Sequence, residues 1–260
     1  LKSQRISRKV TSVDDLFDQI VNEAIDETLT LQQVNSDRAY LMHPVSMLEF
    51  ACSDKFLGLG NDLFKKIQFF IEYIDQPHIR EVYLVLGKGS GKSTLAQICL
   101  LYGIYQWSCF RDPYEYFKLM HTAKPACVNV STSRDQARDV IFEGCLHMVQ
   151  HSPFFAGNFE AFKDSIKFAS GITLYAGHGN AAAWLGYMTF VGVMDEVEFM
   201  VDSSHRSQAA QLYNALRGSL KTRFPQHYKL VCISSAKERY SFLMRKAQAV
   251  LKIGTEIEIV

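Results

Sequence analysis

No stretch of this chain is apolar for long enough to cross a bilayer; the longest, from Ile98 to Phe110, is broken by Gln106. No signal-peptide pattern opens it either, so no membrane is expected among its partners. None of the six cysteines (52, 99, 109, 127, 145 and 232) has CxxC spacing, and most sit in apolar runs. That argues against a metal or disulfide framework and fits buried thiols in a reducing compartment. A net charge of +1 gives no global electrostatic footprint for nucleic acid, so any such contact must be local or shared among subunits. Internal repeats and low-complexity runs are absent as well. The chain also lacks an initiating methionine, which suggests a piece of something longer. What remains, at 260 residues with 48% hydrophobic and 21% charged, is an ordinary globular chain. Its length suits one large α/β domain, or one with a helical extension.

The most informative stretch is Leu84 to Thr94. A β-branched apolar run from Val82 to Leu86 reads as a buried strand ending at a glycine cluster. A helix-compatible run from Thr94 to Trp107 follows at once. Between them lie Gly87, Lys88, Gly89, Ser90, Gly91, Lys92, Ser93 and Thr94, in the setting where a phosphate-binding loop is expected. Its glycines let consecutive N–H groups converge on an anion, and the helix N-terminus adds partial positive charge. Lys92 would reach the β- and γ-phosphates of a nucleoside triphosphate, and the Ser93 hydroxyl would ligate Mg²⁺. One departure stands out: the full pattern G-x-x-x-x-G-K-[ST] requires glycine where this chain has Leu86. The competing reading is a glycine-rich turn that binds nothing.

Upstream, residues 1–10 form a basic arm, and helical spacing from Val13 to Ile25 predicts an amphipathic helix. Residues 1–43 are therefore set apart from the main domain at 44–260. The pattern from Pro44 to Tyr73 stays helical, with a loop over Ser53–Gly60. Within it, Gln68 offers an amide donor and acceptor that could recognise adenine, and Phe64 one turn earlier could stack on the base. Alone, Gln68 is an ordinary surface residue.

Downstream, strands are expected at Ala126–Val130, Met188–Met194 and Tyr228–Ile233, and a hairpin around Ser170-Gly171. Helices are expected from the Ser131–Asp135 segment to Gln150, through Ala209–Leu220, and over Tyr240–Val250. The strand beginning at Met188 ends in Asp195-Glu196. An acidic pair at a strand's carboxyl end, downstream of a phosphate loop, places Asp195 near the Mg²⁺ that Ser93 holds. Glu196 beside it can accept a hydrogen bond from attacking water. Either could instead be a solvated turn. Ser234, Ser235 and Ala236 close the last strand; small hydroxyl residues there can sense a γ-phosphate, or simply start a loop.

Taken in order, these segments resemble the ATPase domain of the large terminase subunit of tailed bacteriophages. The resemblance runs from about Phe64 to Arg245 and rests on Gln68, GKGSGKST, STSRDQA at 131–137, the hairpin, VMDE and the serine pair. It implies an α/β P-loop NTPase of the additional-strand, catalytic-glutamate type, with a central, mostly parallel sheet flanked by helices and an N-terminal helical extension. ATP and Mg²⁺ are then the expected cofactors, with Lys92, Asp195 and Glu196 catalytic. Implied partners are duplex DNA, a portal protein, a small terminase subunit and further copies in a ring. The implied place is the host cytoplasm, transiently at the prohead portal vertex. The family often has an arginine just before the glycine that precedes the acidic strand; here Leu185 precedes Gly186. A finger for a neighbour's site must come from elsewhere, with Arg134, Arg206, Arg217 and Arg223 as candidates. The family's nuclease domain would begin after about residue 250, so no nuclease activity is expected from this chain. A helicase-like translocase is the runner-up, since Asp195-Glu196-Val197-Glu198 also resembles a helicase box. A nucleotide-switched scaffold that does not hydrolyse is the third reading.

Overall fold

The computed structural model describes residues 38–133, 137–178, 186–200, 208–235, 242–246 and 257–259. The basic arm and the helix expected over Val13–Ile25 lie outside the described residues.

Eight strands form one sheet: β1 (Glu81–Val85), β2 (Pro125–Ser131), β3 (Phe159–Ala161), β4 (Ser165–Phe168), β5 (Thr173–His178), β6 (Met188–Asp195), β7 (Lys229–Ser234) and β8 (Ile257–Ile259). Their spatial order is β3-β4-β5-β2-β6-β7-β1-β8. From β5 to β8 every neighbouring pair is parallel, while β3 and β4 attach antiparallel at one end. The expected hairpin is thus β4 and β5, and β5 also continues the parallel sheet. β1 and β6 are not neighbours; β7 lies between them. That is the added strand of the expected fold class.

The helices are α1 (Met47–Cys52), α2 (Lys65–Asp75), α3 (Lys92–Cys109), α4 (Pro113–Tyr116), α5 (Glu143–His151) and α6 (Ala209–Arg223). A π-helix at Ala137–Phe142 leads into α5, where the sequence suggested continuous α-helix. The central strands are buried on both faces, so they read as unbroken apolar runs instead of alternating ones.

α3 is buried almost all round, including Leu95, Ile98, Leu101, Ile104 and Trp107. A helix without a polar face must lie inside the protein, and α3 packs against α1, α2, β2 and β6. Gly103 allows its close approach to the sheet: a Cβ there would fall 2.4 Å from Val191 Cγ2. At the far end of α3, Trp107 meets Tyr114, Phe117, Phe190 and Phe224 in stacked and edge-on contacts. Among the described residues, no helix is long and apolar enough to cross a membrane.

The amino-terminal edge of the sheet is held by a buried carboxylate. Glu81, 2% exposed, accepts hydrogen bonds from the hydroxyls of Tyr83, Tyr213 and Tyr228 and from Arg217 Nε at 2.6 Å. Burial pushes its pKa up, but the bonds from Tyr213, Arg217 and Tyr228 outweigh it and hold the group below the usual carboxylate range. Lys229, at the start of β7, donates to the carbonyls of Ile74, Gln76 and Ile79 and so closes the C-terminal end of α2. Arg217→Met should remove one charged hydrogen bond from Glu81 and destabilise the domain by roughly 2 kcal/mol. Urea denaturation would measure the loss.

Candidate active site

All the parallel strands deliver their carboxyl ends to one edge, and register decides which residues meet there. Val85 lies opposite Ser234, and Asp195 lies opposite Ile233. The loop after β1, the serines ending β7 and the acidic pair ending β6 are therefore brought side by side. Leu86 N–H donates to the Ser234 carbonyl at 3.1 Å, extending the pairing by one residue.

The loop explains its own departure from the motif. Leu86 is buried, and its backbone is not in the left-handed region, so neither space nor φ demands glycine there. Gly89 and Gly91 are the left-handed residues, at φ +72° and +85°. Gly91 also meets α2: a Cβ there would fall 2.8 Å from Ile67 Cδ1. That contact seats α2, with Gln68 and Phe64, against the loop.

Gly91 is the N-cap of α3 and supplies no side-chain cap, and the first turn carries no carboxylate. Its first N–H groups are thus left for an anion. Cβ positions built on Gly87 and Gly89 would meet nothing within 4 Å, and the Ser90 hydroxyl is buried without a protein partner. These features fit a phosphate chain. Lys92 Nζ donates to the Leu86 carbonyl and to Ser235 Oγ, each at 2.7 Å. The loop lysine therefore touches the expected coupling motif directly.

Asp195 is 5% exposed. Burial, then the adjacent Glu196 charge, raises its pKa from 3.8 to about 6, against the Glu196 N–H and Lys92, which lower it. A buried carboxylate opposed by a like charge is suited to a divalent cation, and with the Ser93 hydroxyl it is the donor set expected for Mg²⁺. Among the described residues, no cluster of three His, Cys, Asp or Glu side chains could hold a metal ion by itself.

Glu196 has left-handed backbone angles, φ 52° and ψ 42°, which cost a non-glycine residue ~1–2 kcal/mol. Such strain gathers at functional sites. Ser234 Oγ donates to Glu196 Oε2 at 3.4 Å. Glu198, a second carboxylate close by, is engaged elsewhere. It accepts the N–H groups of Phe242 at 3.1 Å and Leu243 at 2.7 Å, and its own N–H donates to Ser234 Oγ. It ties the acidic turn to the helical segment at 242–246 and is not free to activate water.

The family model described as "Uncharacterized protein MJ0330, N-terminal P-loop domain" matches residues 14–256. The chain belongs to that family. No curated protein matches this P-loop domain. Among solved structures, the large terminase of bacteriophage HK97 is similar at a TM-score of 0.60 and 16% identity, over 85% of this chain and 43% of that one. The large terminase of a thermophilic bacteriophage, in complex with ADP, is similar at 0.50 and 10% identity, over 76% of this chain and 45% of that one. At such identities the likeness is one of fold, and it agrees with the resemblance read from motif order. The P-loop domain spans less than half the length of either terminase chain.

The remaining expected residues separate clearly. Gln68 Nε2 donates to the Leu63 carbonyl at 3.1 Å, and Phe64 is 69% exposed at the N-cap of α2. Arg217, expected as a candidate finger, is committed to Glu81 at the edge opposite the loop. Arg223 ends α6 at that same far edge. Arg134, Arg206, Leu185 and Ala236 lie outside the described residues. Three features had no signal in sequence: the Lys92–Ser235 bond, the left-handed Glu196, and the buried, unpartnered Ser131 hydroxyl at the end of β2.

Two measurements test the electrostatics and strain of this site. Between pH ~4 and ~6 the folded chain should hold a proton on Asp195 that the unfolded chain has lost, so this group's contribution to stability should fall as pH rises. Asp195→Asn should thus be more stable than wild type by ~3 kcal/mol above pH ~6 in the absence of ligand, with the gap closing below pH ~4. Glu196→Gly should remove the left-handed penalty and raise stability by about 1 kcal/mol, read as a higher thermal midpoint.

Proposed function

We propose that this P-loop domain hydrolyses ATP and couples hydrolysis to the movement of duplex DNA, as the motor part of a viral genome-packaging machine. The observation that carries the reading is the meeting of Lys92, Ser234, Ser235, Asp195 and Glu196 at one sheet edge. The loop amides and Lys92 bind and orient the triphosphate. Mg²⁺, held by Ser93 and Asp195, would supply neutralisation of the phosphate charge when bound. Glu196, aimed by its left-handed turn and by the Ser234 hydroxyl, accepts the proton of the attacking water. Gln68 and Phe64 select adenine.

Coupling follows from the bonds already in place. A phosphate drawn to Lys92 competes with Ser235 for its ammonium protons, so nucleotide binding acts on the segment after β7 at once. Glu198 passes the same change to 242–246 through the backbone bonds to Phe242 and Leu243. In this reading the partners are duplex DNA, a portal protein, a small terminase subunit and further copies in a ring, which acts in the host cytoplasm at the prohead portal vertex.

The test separates binding from chemistry. Glu196→Gln should bind ATP normally but turn over at least ~10²-fold more slowly, and Lys92→Ala should lose both affinity and turnover. Phosphate release and nucleotide binding, measured with and without duplex DNA, decide the matter. Undiminished turnover in Glu196→Gln would remove this residue from the chemistry, and undiminished turnover in Lys92→Ala would remove the loop.

A further inference from the structure

At the sheet edge opposite the phosphate loop lies a hollow of about 390 Å³ whose rim carries Lys118, Lys124 and Arg223. No carboxylate lines it among the described residues; Leu119, Met120 and Met188 contribute its apolar wall. All three cations are exposed, and none has an ion pair or side-chain hydrogen bond among the described residues. Three exposed cations around one hollow with no carboxylate in its lining make a local positive patch that attracts anions.

A second observation concerns Lys118 alone. α4 ends in a Schellman arrangement: Lys118 N–H donates to the Glu115 carbonyl, and Leu119 N–H to the Tyr114 carbonyl at 2.7 Å. The residue in the left-handed position of that motif is usually glycine, and here it is Lys118, at φ 52°. Apart from Glu196 at the candidate active site, it is the only non-glycine with positive φ among the described residues. Glycine would relieve the strain but would remove the ammonium group from the rim.

We propose that this hollow is a contact point for the phosphodiester backbone of nucleic acid. The choice of a polyanion rests on the translocase reading, and three features of the rim agree with it. Ammonium groups on flexible stems suit a row of equivalent phosphates better than one fixed anion. The apolar wall offers no dense set of donors for reading bases, as a sequence-independent grip requires. The far edge leaves the nucleotide site unobstructed. The near-neutral net charge demanded a local patch for any such contact, and this hollow supplies one.

The experiment is fluorescence anisotropy of a labelled, mixed-sequence duplex with the full chain across a range of salt concentrations. Lys118→Gln combined with Lys124→Gln should weaken binding alike on all sequences. The slope of log affinity against log salt should become shallower by about 2, roughly one for each lost phosphate contact. DNA-free ATP turnover should not change. Lys118→Gly should lower duplex affinity while its thermal midpoint stays level or rises, a combination that damage to the fold cannot produce. An unchanged salt slope in the double variant would overturn the proposal. So would a wild type that binds no duplex at low salt, or variants that lose binding of poly-glutamate while keeping duplex binding. A wild type that grips duplex through these lysines yet never hydrolyses ATP would sink the ATPase reading and leave this contact standing.

Discussion

The register between β1, β7 and β6 is the constraint on which the site depends. Parallel pairing sets Val85 against Ser234 and Ile233 against Asp195. A slip of one residue along β7 would carry the Ser234 side chain to the other face of the sheet. Lys92 would then lose contact with Ser235, and the Glu196 carboxylate would lose its hydroxyl donor. Burial on both faces of β7 resists such a slip, because Val231, Cys232 and Ile233 are all shut away from solvent. The chemistry of the edge is therefore held in place by apolar packing in the middle of the sheet.

The edge itself is locally unfavourable. It combines a buried Asp195, a left-handed Glu196 beside it, an orphaned Ser90 hydroxyl and an uncapped α3. Each feature costs stability, and each is suited to a phosphate chain with its cation. The rest of the domain offsets that cost. α3 is packed along almost its whole length, and the aromatic group around Trp107 fixes its far end. Glu81, with its tyrosines and Arg217, closes the opposite edge.

A physical connection joins the two edges. Glu198 holds the backbone of Phe242 and Leu243, and Lys246 from the same segment lies 3.9 Å from the centre of the Tyr213 ring. Tyr213 in turn donates to Glu81. The segment at 242–246 is therefore bound both to the acidic turn and to the carboxylate cluster at the amino-terminal edge, which makes it suited to report the state of one to the other.

The phosphate loop, the acidic strand end and the alternation of strand and helix were legible because each is local. A glycine-rich turn between a strand and a helix, or a carboxylate pair closing an apolar run, carries its physics within about ten residues. The departure at Leu86 was legible as a departure, but only the backbone angles made it harmless. Other features depended on residues far apart in the chain. The bond from Lys92 to Ser235, that from Arg217 to Glu81 and those from Phe242 and Leu243 to Glu198 all join residues whose separation no pattern records. Left-handed strain at Glu196 was equally hidden, since a glutamate in sequence gives no sign of its backbone angles. Sequence alone determined which residues could do chemistry here, because residue type and local spacing set what each group can donate or accept. Tertiary structure decided which of them meet, because strand order and register are settled by how the apolar faces pack.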